Sequence, residues 1–271
     1  MNIFSLQEKV AVVTGALGLI GNHYCYALAE AGAHVVVTDL NEERCKAFAS
    51  ELTSSTKSEC IGVASDITKE ISLEKLRETV LQKFGSVDIL VNNAAINDMF
   101  ENPAIAAEQS KFENYPLELW QRSLDVNITG MFLCSQILGS VMAERKNGSI
   151  INIASTYALV APDQSLYRNP DGTQQFYKSP SYPTTKGAVI AFTKFLAAYW
   201  GKKGIRVNAL SPGGVQNGQE EFFIQNYSSR TPLGRMAQPT DYKGALVFLA
   251  SDASKYMTGA NLIVDGGWTI W

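Results

Sequence analysis

Short apolar runs rich in β-branched residues alternate along the chain with longer segments of helical periodicity. Because a strand buried on both faces is apolar throughout, these runs are typical of a parallel sheet covered by helices. The predicted strands are 9–14, 34–39, 60–66, 87–93, 149–155, 205–211 and 261–266. The predicted helices are 20–31, 42–53, 69–84, 116–145, 182–201 and 240–251. The pattern predicts one α/β domain over residues 1–271, with a seven-stranded, doubly wound parallel sheet and helices on both faces.

Two stretches, 156–180 and 212–239, break the alternation with turn-forming and polar residues. Each follows a predicted strand, and loops at the carboxyl ends of parallel strands surround the ligand crevice. Long irregular stretches inside a compact domain are commonly functional. We therefore predict that both are substrate loops, with the first irregular stretch lying over the pocket.

Composition and charge exclude several classes of protein. Lys plus Arg number 23 against 26 Asp plus Glu, without a basic run, so no nucleic-acid partner is expected. The start of the chain lacks signal-peptide features, and no apolar run approaches membrane-spanning length, which predicts a cytoplasmic protein without a membrane partner. The cysteines and histidines are too scattered to predict a metal site or a disulfide framework. They are Cys25, Cys45, Cys60, Cys134, His23 and His34.

A glycine-rich turn, TGALGLIG, joins the first predicted strand to the first predicted helix. Gly15, Gly18 and Gly21 permit a tight turn, and the helix N-terminus favours a pyrophosphate. Many dinucleotide-binding loops have the spacing G-x-x-x-G-x-G, which would place a glycine where this chain has Leu19. The context predicts a Rossmann fold with a bound dinucleotide.

Asp39 ends the second predicted strand, 18 residues after Gly21. A carboxylate there can accept hydrogen bonds from both ribose hydroxyls and repels a 2′-phosphate. Since no Arg or Lys flanks Asp39 or lies in the glycine loop, NAD(H) is favoured over NADP(H). The alternative is that Asp39 only caps the helix beginning near Asn41. Asp66 can reach the adenine amino group or cap a helix.

Tyr182 and Lys186 are four residues apart and therefore share one face of a predicted helix. Ser181 can cap that helix, and Pro183 is tolerated in its first turn. A tyrosine with a pKa near ~10 needs a downward shift of about 3 units, on the order of 4 kcal/mol, to act as a base near neutrality. The Lys186 ammonium and a positive nicotinamide both favour the phenolate.

Two further residues are catalytic candidates. Ser155, at the end of the fifth predicted strand, can hold a substrate oxygen or simply form a turn. Asn127, in a long apolar helix, can bind water behind Lys186 or satisfy a helix kink.

Together these stretches resemble the short-chain dehydrogenase/reductase family over nearly the full chain. The matching segments are TGALGLIG, SDIT, NNAA, DVNITG, INIAS, YPTTK, IRVNALSPGG and TGANLIVDGG. The resemblance implies a tetrad of Asn127, Ser155, Tyr182 and Lys186, with Tyr182 as acid and base for hydride transfer to or from the nicotinamide. Expected cofactor contacts are Gly15, Leu17, Gly18, Leu19, Ile20, Gly21, Asp39, Leu40, Asp66, Ile67, Asn93, Ala94, Ala95, Tyr182, Lys186, Pro212, Gly213, Val215 and Asn217. No metal is implied.

Two features depart from the usual pattern of the short single-domain branch. The glycine spacing resembles the extended branch, so a nucleotide-sugar epimerase or dehydratase is an alternative, as is a dinucleotide-binding regulatory protein without turnover. Ser155 and Tyr182 are also 27 positions apart, which is unusually far. The extra segment predicts a sugar-like substrate held by Thr156, Tyr157, Arg168 and Tyr177. A solvated insertion serving oligomer contacts is the alternative.

A looser similarity connects the chain with bacterial oxidoreductases of flagellin modification and surface-sugar synthesis. It suggests a sugar phosphate, an amino sugar or a nucleotide sugar as substrate. Family members usually form dimers or tetramers through helices equivalent to 116–145 and 182–201, so a homodimer or homotetramer is expected. The apolar ending GGWTIW can add to such an interface or cover the subunit's own core.

Overall fold

A parallel β-sheet organises the computed structural model, which describes residues 2–97 and 107–271. Within these ranges the sheet has seven strands in the order β3-β2-β1-β4-β5-β6-β7. The strands are β1 Val10–Thr14, β2 His34–Asp39, β3 Cys60–Ala64, β4 Ile89–Asn92, β5 Gly148–Ile153, β6 Ile205–Pro212 and β7 Asn261–Val264. The direction of winding reverses between β1 and β4, and ligands bind at such a reversal. The predicted fold class is confirmed.

The α-helices cover both faces of this sheet. In the described part of the chain they include α1 Gly21–Glu30, α2 Glu42–Thr56, α3 Glu70–Phe84, α4 Leu117–Leu124, α5 Met131–Arg145, α6 Ser181–Trp200, α7 Glu221–Ser229 and α8 Lys243–Ala250. The wider π-helical turn Asp125–Gly130 joins α4 to α5. The N-cap residue of α2 is Asn41, whose side chain accepts a hydrogen bond from the Arg44 amide. Such an N-cap satisfies a backbone donor that the helix leaves free.

Alternate residues of the strands supply two separate cores. In β1, Ala11 and Val13 pack with Leu28 of α1 and other residues on one face. Val10 and Val12 pack on the opposite face with residues of α3, α5 and α6. Because successive strand side chains point to opposite faces, an uninterrupted apolar strand fills both layers. This explains why the predicted strands were apolar throughout.

The structure corrects three expectations. The stretch predicted as irregular, 212–239, contains the helix α7, because Phe223 and Tyr227 lie four residues apart and share an inward face. Ser181 does not cap α6: Pro180 is the N-cap residue and makes no side-chain cap bond. The Ser181 hydroxyl instead contacts the hydroxyls of Tyr115 and Ser179.

The third correction concerns the expectation that no apolar stretch approaches the length needed to span a membrane. The continuous helical stretch Leu117–Arg145 is 29 residues long and apolar enough to cross a membrane by length and composition. Of the 18 consecutive residues with the highest mean hydropathy in this stretch, 50% are buried inside the protein. Its residues Cys134, Leu138 and Met142 belong to the core beneath the sheet. This packing is typical of a core helix.

The C-terminal segment covers the subunit's own core through one residue. Trp268 is buried and stacks on Tyr227 with ring centroids 4.1 Å apart. Ile270 and Trp271 remain exposed. The interpretation that this segment covers the core therefore holds for Trp268.

Candidate active site

The glycine loop forms a backbone cradle at the carboxyl end of β1. Gly15 has φ +62°, and a Cβ added to it would lie 2.7 Å from the Ala94 Cα atom. A Cβ on Gly21 would lie 2.2 Å from the Gly15 carbonyl oxygen, whereas one on Gly18 would meet that oxygen at 3.3 Å. The Asn93 side-chain amide donates to the Thr14 and Gly15 carbonyls at 3.0 and 2.9 Å. The turn thus tolerates only glycine at its two ends.

Asp39 is tied to this turn. Its carboxylate accepts hydrogen bonds from the Leu17 amide at 3.1 Å and the Leu40 amide at 2.8 Å. Since Asn41 caps α2, the alternative of Asp39 as that cap is wrong. Asp66 accepts from the amide and hydroxyl of Thr68, at 3.0 and 2.7 Å, in a turn before α3. Asp66 is not the N-cap of α3, which is Lys69.

A cavity of about 450 Å³ opens beside this turn, and we call it the nucleotide cavity. The expected cofactor residues that line it are Gly15, Gly18, Leu19, Ile20, Gly21, Asp39, Leu40, Asp66, Ile67, Asn93, Ala94 and Ala95. Residues that sequence reasoning missed here are Thr38, Ser65, Thr68, Ile96, Arg122 and Val126. The glycine cradle and the ribose-side carboxylate fit a dinucleotide. Arg122 comes from α4, distant in sequence, and no local pattern indicated it.

The Tyr182 and Lys186 side chains leave the first two turns of α6 toward the end of β5. Lys186 is buried, and its Nζ donates to the Ile153 carbonyl at 2.7 Å. The same Nζ lies 5.6 Å from the centroid of the Tyr182 ring. Ser155 follows β5 and hydrogen-bonds with Tyr182. Pro183 lies within the first turn of α6, as predicted.

Asn127 lies in the π-helical turn and holds the chain that follows β4. Its Oδ1 accepts from the Ile96 amide at 2.8 Å, and its Nδ2 donates to the Ile96 carbonyl at 3.0 Å. A further bond from Nδ2 reaches the Thr185 hydroxyl at 3.1 Å, next to Lys186. These bonds join three segments of the site. π-Helical turns are frequent at functional sites.

Burial works against the charged forms of the two central groups. It raises the pKa of Tyr182, and the hydrogen bond with Ser155 opposes that rise. Burial lowers the pKa of Lys186 to about 8. The expected downward shift of the tyrosine pKa is therefore not present in the protein alone. The positive charge of a bound oxidised nicotinamide would lower the pKa of Tyr182.

A second cavity of about 500 Å³, the substrate cavity, begins at Ser155 and Tyr182. It contains the expected residues Thr156, Tyr157, Pro212, Gly213 and Val215. Its lining also includes Tyr167, Gln175 and Lys178 of the first substrate loop. The residues that sequence reasoning missed here are Asn97, Phe176, Gln219, Phe222, Phe223 and Tyr227. Ile20 lines both cavities, so the two cavities adjoin.

Five expected contacts lie outside these linings, and one of them is the buried Lys186. Arg168 is exposed and pairs with Gln174, while Tyr177 lines a neighbouring cavity. Tyr167 ends the 3₁₀ turn Gln164–Tyr167 and packs inward on Phe223, whereas Arg168 follows that turn and is exposed. The Leu17 amide donates a hydrogen bond to the Asp39 carboxylate. Asn217 is exposed, and its amide donates to Gln219.

Side-chain contacts join the two substrate loops. Arg230, just after α7, pairs with Asp163 and donates to the Ser165 hydroxyl at 3.0 Å. Within the first loop, the hydroxyls of Tyr157 and Tyr167 lie 3.0 Å apart. Tyr167 packs on Phe223 of α7 with ring centroids 5.4 Å apart. Part of the 156–180 stretch thus lines this cavity, while its binding of substrate stays a prediction.

The fold and the site together define a dinucleotide-dependent oxidoreductase. A family model described as enoyl-(acyl carrier protein) reductase matches residues 15–269. The chain belongs to the short-chain dehydrogenase/reductase family. The family resemblance predicted from the sequence is confirmed.

Individual relatives match over nearly the whole chain. D-threitol dehydrogenase of Mycolicibacterium smegmatis is 35% identical over 272 residues, covering 98% of this chain and 95% of the relative. A 3-alpha-(or 20-beta)-hydroxysteroid dehydrogenase of Mycobacterium bovis is 36% identical over 262 residues, covering 97% and 90%. The crystal structure of a gluconate 5-dehydrogenase from Burkholderia cenocepacia J2315, in complex with NADP and tartrate, has a TM-score of 0.86 and 30% identity, covering 100% of this chain and 98% of that one.

Proposed function

We propose that the protein interconverts a secondary alcohol and a ketone of a polyol or sugar-like substrate, with NAD(H) as the cofactor. The observation that carries this proposal is the position of Ser155 and Tyr182 on the substrate cavity, where Ile20 joins it to the nucleotide cavity. A carbinol carbon bound between these hydroxyls and the adjoining nucleotide is placed for direct transfer of hydride.

The tetrad residues have separate tasks in this reaction. A bound nicotinamide supplies the hydride acceptor or donor. Ser155 holds the substrate oxygen, and Tyr182 takes the hydroxyl proton as the alcohol becomes a ketone, or returns it in reduction. Lys186 sustains positive charge beside the tyrosine and can bond the nicotinamide ribose. Asn127 fixes the loop after β4 and the first turns of α6 relative to each other.

Asp39 supports NAD(H) over NADP(H). Two backbone amides fix its carboxylate on the wall of the nucleotide cavity, where a 2′-phosphate would meet a like charge. Arg122 lines the same cavity and is the feature that favours a phosphate. We give Asp39 the larger weight because it ends β2 at the ribose position expected for this fold.

The substrate cavity supports a hydroxylated substrate. Tyr157, Gln175, Lys178 and Gln219 bring hydroxyl, amide and ammonium groups to its lining. Binding sites commonly combine aromatic walls with a few placed polar groups. The aromatic members, Phe176, Phe222 and Phe223, are the observation that favours a second candidate, a bulky apolar alcohol such as a steroid.

A substrate panel tests the proposal. Purified enzyme is mixed with NAD⁺ or NADP⁺ and with C3–C6 polyols, sugar acids, sugar phosphates, nucleotide sugars or a hydroxysteroid, and absorbance of the reduced cofactor is followed. The proposal predicts turnover with hydroxylated substrates and NAD⁺. Turnover restricted to the steroid contradicts the substrate class. NADH binding without turnover of any alcohol or ketone supports a regulatory dinucleotide-binding protein instead.

Self-association through α5 and α6 is a further part of the proposal. Phe132, Phe195 and Tyr199 are 43, 60 and 63% exposed on these helices, and the last two rings stack at 5.9 Å. Contiguous exposed apolar surface commonly marks an interaction site. Light scattering after size-exclusion chromatography tests this, since a monomer at micromolar concentration contradicts it.

A further inference from the structure

Two tyrosines of the first substrate loop bring a hydrogen-bonded pair of hydroxyls to the substrate cavity. Tyr157 and Tyr167 line this cavity together with Ser155 and Tyr182, and the hydroxyl oxygens of Tyr157 and Tyr167 lie 3.0 Å apart. The Tyr182 phenol interacts electrostatically with both of them, so the pair lies near the reacting groups. The proposed reaction leaves the pair without a role, since Ser155 holds the reacting oxygen and Tyr182 takes its proton.

Packing and a backbone bond hold the two side chains in place. The Tyr167 residue is 7% exposed, and its ring packs on those of Phe176 and Phe223 with centroids 4.8 and 5.4 Å away. Tyr157 is half-buried, and its backbone amide donates to the Ser155 hydroxyl oxygen at 3.2 Å. That bond keeps Tyr157 beside the group that holds the reacting oxygen. Hydroxyls on fixed rings bind a ligand with little further loss of conformational entropy.

The pair retains hydrogen-bonding capacity. A phenol hydroxyl donates one proton and accepts through its lone pairs, so a bonded pair keeps a free proton on one oxygen and a free lone pair on the other. Within residues 2–97 and 107–271 neither hydroxyl has another hydrogen-bond partner. Burial raises the pKa of both tyrosines, that of Tyr167 to about 12, so both hydroxyls remain neutral. The pair can therefore donate one hydrogen bond and accept another at the same place.

We propose that the Tyr157–Tyr167 pair binds a second hydroxyl of the substrate, on the carbon next to the reacting carbinol. The inference rests on the proposed function, because it requires the carbinol to lie between Ser155 and Tyr182. A substrate hydroxyl both donates and accepts, so it can close a ring of hydrogen bonds with the pair. A hydrogen atom or a methyl group at that position makes neither bond. The substrate class is thus a vicinal diol with a secondary carbinol.

The alternative is a structural bond that joins two parts of the loop. Loss of a structural bond would affect every substrate equally. Loss of a hydroxyl subsite affects only substrates that carry the second hydroxyl, since the other substrates never bind it. Two alcohols that differ in this one hydroxyl therefore distinguish the two roles.

Propylene glycol and isopropanol are such a pair of alcohols. Both have a secondary carbinol, and only propylene glycol has a neighbouring hydroxyl. The ratio of their kcat/KM values is measured for oxidation with NAD⁺. Tyr157→Phe and Tyr167→Phe each remove one hydroxyl and keep the ring, so each should lower the ratio about threefold to tenfold. Tyr256→Phe removes an exposed hydroxyl outside the substrate cavity and should keep the wild-type ratio.

Fluoroisopropanol provides a measurement on the wild-type enzyme alone. Its fluorine draws electrons from the carbinol, as a hydroxyl does, but cannot donate a hydrogen bond. We expect the wild-type kcat/KM for propylene glycol to exceed that for fluoroisopropanol about tenfold. Equal values overturn the inference, even where a tyrosine variant fails to fold.

The outcomes separate this inference from the proposed function. An unchanged ratio in both phenylalanine variants overturns the inference and leaves the proposed oxidation of a secondary alcohol standing. An equal loss of kcat/KM with both alcohols also overturns it, because the bond would then be structural. Turnover of other alcohols without turnover of propylene glycol contradicts it as well. Absence of wild-type turnover with any alcohol refutes the proposed function, and the inference with it. NADH titration and circular dichroism verify that each variant is folded.

Discussion

The nucleotide cavity and the substrate cavity are built in different ways. The first takes its shape from backbone: the glycine turn, the amides that bind Asp39, and the Asn93 amide on two carbonyls. The second lies between two loops that meet through side chains, the Arg230–Asp163 pair and the Tyr167–Phe223 contact. A backbone site depends on short local stretches, whereas a side-chain site depends on partners far apart in sequence. Four substitutions probe this difference, from the largest expected effect to the smallest.

The glycine turn gives the largest expected effect on stability. Gly21→Ala forces a Cβ to within 2.2 Å of the Gly15 carbonyl, which must move. Overpacking of this kind lowers the free energy of unfolding by about 1–3 kcal/mol. NADH affinity should fall as well, since the displaced carbonyl belongs to the cradle. Urea unfolding and fluorescence titration measure both quantities.

Gly18→Ala is the matched control for that substitution. Its Cβ would meet the same carbonyl at 3.3 Å, a contact that a small shift relieves. Its free energy of unfolding should stay within about 0.5 kcal/mol of wild type. Equal destabilisation by the two alanines would contradict the account of a backbone-determined turn.

Cofactor selectivity tests the other end of the nucleotide cavity. Asp39→Asn keeps the size of the side chain and removes the charge facing a 2′-phosphate. The ratio of kcat/KM for NADPH to that for NADH should rise about tenfold to a hundredfold, because like-charge repulsion is relieved. Asp66→Asn makes the same change on the same cavity and should affect both cofactors alike. An unaltered ratio in Asp39→Asn would remove Asp39 as the selectivity determinant.

A substitution of Lys186 tests whether burial of its ammonium group lowers the free energy of unfolding. Its pKa is lowered by burial to about 8, below the ~10.4 of an unfolded chain. The unfolded protein therefore binds more protons between about pH 8 and 10, and native stability rises with pH across that window. Below pH 8 the lysine is charged in both states, and burial of the ammonium destabilises the fold.

Lys186→Met should consequently unfold at a higher temperature than wild type at pH 7, with a gain of about 1–2 kcal/mol. The gain should shrink toward pH 10, while turnover is lost. Calorimetry at several pH values measures it, with the exposed Lys194→Met as control. A Lys186→Met protein that is less stable at pH 7, or a difference independent of pH, would refute the charge-burial argument.

The smallest effect on stability is expected at the link between the substrate loops. Arg230 and Asp163 are 41 and 46% exposed, so Arg230→Ala should lower the free energy of unfolding by less than about 1 kcal/mol. KM for the substrate should still rise, because the pair joins the loops that form the cavity. Arg235→Ala removes an ion pair with Asp241, six residues away, and should leave KM unchanged. Equal KM values in both variants would show that the link does not shape the cavity.

The same contrast explains how much could be predicted from the sequence. The strands, the turn beside Asp39 and the pair Tyr182–Lys186 depend on contiguous stretches or on one helical turn, and the structure places them as expected. Arg122 was missed because α4 reaches the nucleotide cavity only through the tertiary fold. On the substrate side, the first loop was located, but the choice between Tyr167 and Arg168 depends on packing against α7, a helix that was not predicted.

Transfer of deuterium tests the central claim most directly, namely that the two cavities form one site for hydride transfer with Tyr182 as the base. A polyol substrate deuterated at the reacting carbinol carbon is oxidised with NAD⁺, and the reduced nucleotide is analysed by mass spectrometry. We predict one deuterium in the NADH from the wild-type enzyme. Tyr182→Phe should bind NADH as tightly as wild type and lose turnover by about 10²–10⁴-fold. Reduced nucleotide without deuterium, or unchanged turnover in Tyr182→Phe, would contradict the account.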